Sequence, residues 1–206
     1  KPEEALVELS RTAELRDDGA PADLRNALSE SLTWLAVQPP ERRFVFGPRT
    51  VTAAQLRTGP FKTVAMEDVR ATMESKFWGA WRVARSAEIR AGGSLTLVTG
   101  YFSTRPRPGA AIVGAVNGAL ESLTKGLALE LAPVRVNAVS PGTIDTPIRA
   151  SMPEAARRDM LAKTAAALPV GRVGASEDIA LQILAFMAIG FATGSVVYID
   201  GGALVV

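Results

Sequence analysis

Hydrophobic positions along the chain switch repeatedly between the two-residue spacing of β-strands and the three-to-four-residue spacing of amphipathic helices. The first pattern predicts strands at 5–10, 94–99, 134–139 and 195–200. The second predicts helices at 24–35, 67–90, 111–131, 153–167 and from 176 onward. Strands that alternate with helices predict an α/β domain built on a parallel sheet.

Local signals add detail to this outline. The strand SLTLVT at 94–99 is too apolar to face water, which predicts helices on both faces of the sheet. Two segments, RFVFG at 43–47 and TVTAA at 50–54, compete to be a further strand. Ser176 is the predicted N-cap of the last helix. Gln182 and Gly190 interrupt the apolar segment 179–194, which therefore predicts a buried helix and no membrane span.

Composition narrows the chemistry that the chain can perform. The 206 residues are 48% hydrophobic and 21% charged, which predicts a single globular domain over 1–206. The chain has no Cys and no His, which excludes disulfides, thiol nucleophiles, imidazole bases and the usual zinc ligands. We expect no metal site, and the lack of Cys fits a cytoplasmic protein.

The net charge of +2 gives only a mild basic bias. The arginines at 41–43 and 105–108 lie in loop-like sequence, and no aromatic residues interleave with them as in a nucleic-acid groove. We therefore expect solvated loops there, and neither a nucleic acid nor a membrane as partner. A small-molecule substrate is the remaining expectation.

Parallel sheets bind ligands beyond the carboxyl ends of their strands. In this sequence those positions are Ser10 and Arg11, the loop that starts at Thr99, and the turn Pro141–Thr146. The segment 148–168 is expected to shape the substrate side of such a site. The sequence thus predicts one ligand site built from several separate segments.

Four segments together resemble the short-chain dehydrogenase/reductase family. They are GGSLTLVTG at 92–100, LTKGLALELAPVRVNAVSPG at 123–142, LPVGRVGASEDIA at 168–180 and TGSVVYIDGG at 193–202. KFWGA at 76–80 also resembles the family's helix segment that faces the catalytic centre. Each motif is modest alone, but their order and spacing are specific across the C-terminal two-thirds of the chain.

The resemblance implies a Rossmann-like, doubly wound parallel sheet with helices on both faces and a bound nicotinamide cofactor, NADP or NAD. It also implies a homodimer or homotetramer assembled through the helices 67–90 and 111–131. Small residues on the second helix, such as Gly114 and Ala115, suit either that assembly or packing within the chain. The implied cofactor-binding residues are Ser10, Arg11, Thr99, Gly100, Asn117, Pro141, Gly142, Thr143, Ile144 and Thr146.

The chain departs from the family at the catalytic positions. The family's tyrosine, lysine, serine and asparagine correspond to Val113, Asn117, Gly100 and Lys76. No Tyr-x-x-x-Lys occurs anywhere in the chain, so the usual acid is absent. Tyr101 and Ser103 in the adjoining loop, with Lys76 on the facing helix, are the remaining candidates for catalysis.

A second departure lies upstream. The family begins with a strand, a Gly-rich phosphate loop and a helix, and no such loop occurs before residue 50. ALVELSRT at 5–12 resembles the family's second strand, where Arg11 would bind the 2′-phosphate of NADP. Since the first strand lies in the middle of the sheet, we expect Lys1 not to be the true start.

Three functions remain open from the sequence. The chain is an NAD(P)-dependent oxidoreductase with another acid, a non-catalytic NAD(P)-binding sensor, or a structural subunit of the same fold. The turn PGTIDT at 141–146 keeps the family's form and favours retained cofactor binding. Fold alone does not decide catalysis, and the sequence leaves the substrate unidentified.

Overall fold

The computed structural model describes residues 59–146 and 152–206 in full, and the backbone of residues 43–46 and 49–52. All of them belong to one compact unit, residues 40–206. The predicted strand at 5–10 and helix at 24–35 lie outside the described residues. The single domain over 1–206 therefore stays a prediction.

The two competing segments near residue 45 both form strands. β1 (Arg43–Phe46) and β2 (Arg49–Thr52) pair antiparallel, with Arg43 opposite Thr52 and Phe46 opposite Arg49. They make a two-stranded sheet of their own. The prediction that only one of them forms a strand was wrong, because both segments are strands and each provides the other's hydrogen-bonding partner.

The main sheet contains β3 (Ser94–Val98), β4 (Arg135–Pro141) and β5 (Val196–Ile199) in the order β3–β4–β5. Both pairings are parallel, as predicted. Residues 136–140 of the middle strand are all buried. The carboxyl ends of all three strands therefore lie on one edge of the sheet, where the ligand site was expected.

The first long helix has three parts. α1 (Met66–Thr72) continues through a π-helical segment (Met73–Trp78) into α2 (Gly79–Ser86). The N–H of Gly79 donates to the carbonyl of Glu74, five residues earlier, which defines the wider π turn. The predicted continuation to Arg90 was wrong, because Ala87 adopts an extended conformation that ends the helix.

The helix α3 (Ala111–Glu130) covers one face of the main sheet. Leu120 packs there with Leu97 of β3 and Ala138 of β4. A Cβ on Gly114 would lie 2.7 Å from the carbonyl oxygen of Phe102. This glycine therefore serves close packing of a loop inside the chain, whereas Ala115 is exposed.

Two further helices follow, α4 (Glu154–Ala167) and α5 (Ser176–Ala188). Ser176 is the first helical residue, so its prediction as N-cap was wrong. Ala175 precedes the helix, and its N–H donates to the Asp178 carboxylate at 2.8 Å. This bond and the Arg172 guanidinium, which has the larger effect, lower the pKa of Asp178 to about 2.

The helix α5 covers the other face of the sheet. Ile179 and Phe186 pack against Val139 of β4, so helices lie on both faces as predicted. The helix is buried on this side, where Ile179, Ala180 and Phe186 lie, whereas Leu181 is 63% exposed. The predicted two-sided cover of SLTLVT fails at Val98, which is 47% exposed.

Arg135, the first residue of β4, fixes the end of α5. Its guanidinium donates to the carbonyl oxygens of Phe186, Met187 and Ile189. Among the described helices, none is both long enough and apolar enough to cross a membrane.

Candidate active site

A cleft of about 290 Å³ opens at the carboxyl ends of β3 and β4. Its walls come from the π-helical segment, the loop after β3, the start of α3, the turn after β4, and α4. The lining residues are Lys76, Thr99, Gly100, Tyr101, Phe102, Arg107, Val113, Asn117, Pro141, Gly142, Thr143, Met160 and Thr164. All four positions that depart from the family pattern therefore border one cavity.

Lys76 is the central charged group of the cleft. Its Nζ donates to the backbone oxygen of Thr99 at 2.7 Å and to Oδ1 of Asn117 at 2.5 Å. Both acceptors are neutral. Burial lowers the pKa of Lys76 to about 8, although the negative charge of Glu121 opposes that shift. An ammonium with this pKa can give up its proton near neutral pH.

Gly100 and Asn117 fit each other. A Cβ on Gly100 would lie 2.9 Å from Nδ2 of Asn117, so the amide occupies the space that a side chain at position 100 would need. Asn117 is almost completely buried. The Asn117 amide thus leaves no room for a serine at position 100. The same amide accepts a hydrogen bond from Lys76.

The loop after β3 contains a short 3-10 turn, Tyr101–Ser103, which separates the two other catalytic candidates. Tyr101 lines the cleft and its ring lies against Phe102. Ser103 does not line the cleft, and its hydroxyl donates to Oε1 of Glu121 at 2.6 Å. The hydroxyl of Ser103 is therefore engaged away from Lys76.

Glu121 is the centre of a second polar cluster beside the cleft. Its carboxylate accepts hydrogen bonds from the hydroxyls of Ser103, Thr99, Ser140 and Tyr198, at 2.6, 3.3, 3.4 and 3.3 Å. The hydroxyl of Tyr198 also shares a 2.7 Å bond with Thr104, which is exposed. The negative charge of Glu121 is thus stabilised by hydrogen bonds from neutral hydroxyls and not by an ion pair with a cation.

The sequence prediction missed Glu121, although a signal for it existed. Val113, Asn117 and Glu121 follow one another at four-residue spacing, which places them along one side of α3. The predicted solvated loop at 105–108 is confirmed, since these residues are exposed. The prediction nevertheless missed that Arg107 lines the cleft, whereas Arg105 donates to the backbone oxygen of Ala203.

The turn after β4 contributes only part of its predicted residues to the cleft. Pro141, Gly142 and Thr143 line it. Ile144 instead packs with the apolar cluster around Val139, and Thr146 is not among the lining residues. A Cβ on Gly142 would lie 2.6 Å from Cα of Asp200, so only glycine permits this close approach.

The segment expected to shape the substrate side provides Met160 and Thr164 from α4. Residues 148–151 of that segment lie outside the described residues, as do Ser10 and Arg11. Within the described part of the chain, no group of three or more acidic side chains is arranged to hold a metal ion.

Comparisons with known proteins agree with this architecture. Residues 50–203 match the family described as enoyl-(acyl carrier protein) reductase. A short-chain dehydrogenase/reductase of Stachybotrys chlorohalonatus is 39% identical over 110 residues, which cover 53% of this chain and 43% of the relative. One from Malbranchea aurantiaca is 30% identical over 158 residues, which cover 74% of this chain and 60% of the relative.

Among solved structures, a small-chain dehydrogenase in complex with NADPH matches with a TM-score of 0.69 and 38% identity. The match covers 75% of this chain and 72% of that chain. The chain spans about half the length of the curated relatives that it matches.

Proposed function

Because the chain belongs to the short-chain dehydrogenase/reductase family, we propose that it is an NAD(P)-dependent oxidoreductase that reduces a carbonyl group, with Lys76 as the proton donor. The observation that carries this proposal is the half-buried ammonium of Lys76, which neutral acceptors hold inside the cleft. The usual tyrosine position is Val113, which has no proton to give.

The cleft suits the nicotinamide end of such a cofactor. Its lining offers an ammonium, an amide and hydroxyls and contains no carboxylate, which suits ribose hydroxyls, a carboxamide and phosphate oxygens. The similar small-chain dehydrogenase was solved with NADPH, which favours NADP(H) here. When bound, the cofactor supplies the hydride.

Within the described residues, Thr99, Gly100, Asn117, Pro141, Gly142 and Thr143 line the wall where the cofactor would bind. The resemblance also implies roles for Ile144 and Thr146, and for Ser10 and Arg11 at the adenosine end. All ten cofactor-binding assignments stay predictions.

A proton count supports the role of Lys76. An ammonium has three N–H groups, and two of them donate to Thr99 and Asn117. The third is left for a substrate oxygen in the cleft. This N–H would give its proton to the carbonyl oxygen of the substrate during reduction, and Lys76 would become a neutral amine. Solvent then returns the proton.

The family resemblance makes this arrangement an exchange of residues between two helices. The family places asparagine at position 76 and lysine at position 117, whereas this chain has Lys76 and Asn117. Ammonium and amide still contact each other across the cleft. The pair therefore keeps a positive charge in the site although both residue types have changed places.

The test begins with calorimetric titration of the full chain with NADPH, followed by a screen of ketones and aldehydes for NADPH oxidation. Lys76→Asn is expected to abolish turnover, and the exchange K76N/N117K is expected to recover part of it. Lys125→Asn is the matched control, because Lys125 is an exposed lysine on α3.

Three outcomes decide the proposal. Turnover that requires Lys76 supports it. Full activity of Lys76→Asn would overturn the assignment of the proton donor. NADPH binding without turnover of any carbonyl compound would overturn catalysis and favour the non-catalytic sensor. The homodimeric or homotetrameric state implied by the resemblance and the cytoplasmic location expected from the lack of Cys stay predictions, testable by light scattering and by fractionation.

A further inference from the structure

The charge of the cleft is one-sided. Two of its lining residues, Lys76 and Arg107, carry positive charge, and none carries a carboxylate. Glu121 is the carboxylate that raises the pKa of Lys76. It does not line the cleft, and its oxygens accept hydrogen bonds from hydroxyl groups. An anionic molecule that enters the cleft therefore meets two cations and no opposing carboxylate in the wall.

Arg107 is held so that its charge remains available. Its guanidinium lies 4.8 Å above the ring of Phe102, a stacking contact that orients the group without using its N–H donors. No described carboxylate forms an ion pair with it. A planar guanidinium with unused donors is well suited to bind a carboxylate or phosphate in a two-pronged manner.

Arg107 lies at the outer side of the cleft, at the border with a second groove. It borders both the cleft and a neighbouring groove of Gly59, Pro60, Phe61, Pro108, Gly109 and Ala111, which places it at the outer side. Phe102, Val113 and Met160 supply apolar surface to the cleft wall. The cleft thus presents an inner ammonium, apolar side chains and an outer guanidinium.

We propose that the substrate is a carbonyl compound that carries an anionic group, carboxylate or phosphate, and that Arg107 binds this group while Lys76 serves the carbonyl oxygen. This inference rests on the proposed function. It names the class of substrate that the screen should favour, namely oxo acids and their phosphate or phosphonate counterparts, over neutral ketones.

The test compares substrates that differ only in charge. 4-Oxopentanoate, its methyl ester and the corresponding phosphonate are assayed with saturating NADPH, together with shorter and longer oxo acids that vary the separation of the two groups. We expect kcat/KM for the best acid to exceed that of its ester by about tenfold or more, since a hydrogen bond to a charged group contributes on the order of 1.5–3 kcal/mol.

Variants assign the effect to one residue. Arg107→Gln is expected to lower kcat/KM for the acid to about that of its ester. Arg105→Gln is the matched control, because Arg105 is a near neighbour whose guanidinium donates to Ala203. The KM for the acid should rise with salt in the unchanged protein, as expected for an exposed cation. The phosphonate arm distinguishes a phosphate-bearing substrate from a carboxylic acid.

The outcomes separate the two proposals. Turnover of esters and acids with equal efficiency would overturn the anionic substrate and leave the oxidoreductase intact. A weaker NADPH affinity in Arg107→Gln, with acid and ester affected alike, would also overturn it, because the arginine would then serve the cofactor. Failure of every carbonyl compound with bound NADPH would overturn the proposed function itself.

Discussion

Two polar clusters meet at Thr99, and they stabilise a half-buried charge in opposite ways. On one side, the backbone oxygen of Thr99 accepts a hydrogen bond from the Lys76 ammonium. On the other, its hydroxyl donates to the Glu121 carboxylate. Neutral acceptors surround the cation and neutral donors surround the anion, and the two charges form no direct ion pair.

The clusters differ in what they leave unused. The Glu121 carboxylate accepts four hydroxyl bonds and does not line the cleft, so its hydrogen-bonding capacity is largely consumed. Lys76 uses two of its three N–H groups and faces the cleft. The Lys76 charge, which has no opposite charge in contact and a third N–H group, therefore stays available for a substrate.

The largest effect is expected from Lys76→Met, which removes the proton donor and keeps an apolar side chain of similar length. We expect kcat for carbonyl reduction to fall by about 100-fold or more, the usual contribution of a general acid. In the unchanged protein, the rate should be constant below pH 8 and should fall above it. The reason is that reduction needs the protonated amine, whose pKa is about 8.

Oxidation of an alcohol, the reverse reaction, should show the opposite pH dependence. Oxidation of an alcohol needs the neutral amine, so its rate should rise as the pH increases through about 8. Both pH limbs should be absent in Lys76→Met. If the rate of Lys76→Met still changed at the same pH, the titration would belong to another group.

The next effect concerns the fit between positions 100 and 117. Gly100→Ser restores the residue type of the family, but its Cβ would lie 2.9 Å from the Asn117 amide. We expect a loss of stability of about 1–3 kcal/mol from overpacking, measured by urea unfolding. Activity should fall as well, because a displaced amide releases Lys76.

A second glycine offers the control for this prediction. Gly126 lies on α3 with no atom within 4 Å of a built Cβ, so Gly126→Ser should avoid overpacking. Combining Gly100→Ser with Asn117→Ala should recover stability but not activity. Full activity in Gly100→Ser alone would contradict the coupling of these two positions.

Glu121→Gln tests the link between the two clusters with a smaller expected effect. The carboxylate raises the pKa of Lys76 against the effect of burial. Without that charge, the pKa should fall below about 8, and the pH limb for reduction should move to lower pH. A limb that stays in place would show that Glu121 has no electrostatic influence on the reacting group.

The smallest effect is expected from Tyr198→Phe. The variant removes one of four bonds to Glu121 and the bond to Thr104, but leaves the carboxylate charged. Thermal unfolding should show a loss of about 1 kcal/mol. The pH limb should not move, since the charge near Lys76 is unchanged. A shifted limb would mean that Tyr198 itself contributes to the titration.

The fold was accessible from sequence where apolar spacing was strong. The strand at 94–99 and the helices at 111–131 and 153–167 were placed within a residue of the observed ends. Helix ends that no Gly or Pro marks could not be predicted from the sequence. Ala87 has good helix propensity, yet the helix ends before it. Likewise, two short strand patterns near residue 45 did not reveal that they pair with each other.

The sequence allowed the positions of the site residues to be predicted, although the residue types at those positions differ from those of the family. The resemblance placed Lys76, Gly100, Val113 and Asn117 together, and all four line the cleft. It did not reveal that Asn117 fills the space at Gly100, because such contacts depend on side-chain geometry. Arg107 was missed since a loop arginine in sequence gives no indication of which surface it covers.

The π-helical segment Met73–Trp78 gives the site a dependence on chain length. Lys76 lies within this widened turn, which contains about one residue more than an α-helical turn. Deleting one residue there would restore a regular α-helical turn and shift the positions of the side chains within it. A neighbouring residue would then face the cleft in place of Lys76. Indel variants of this helix would therefore change the chemistry of the site without replacing any of its residue types.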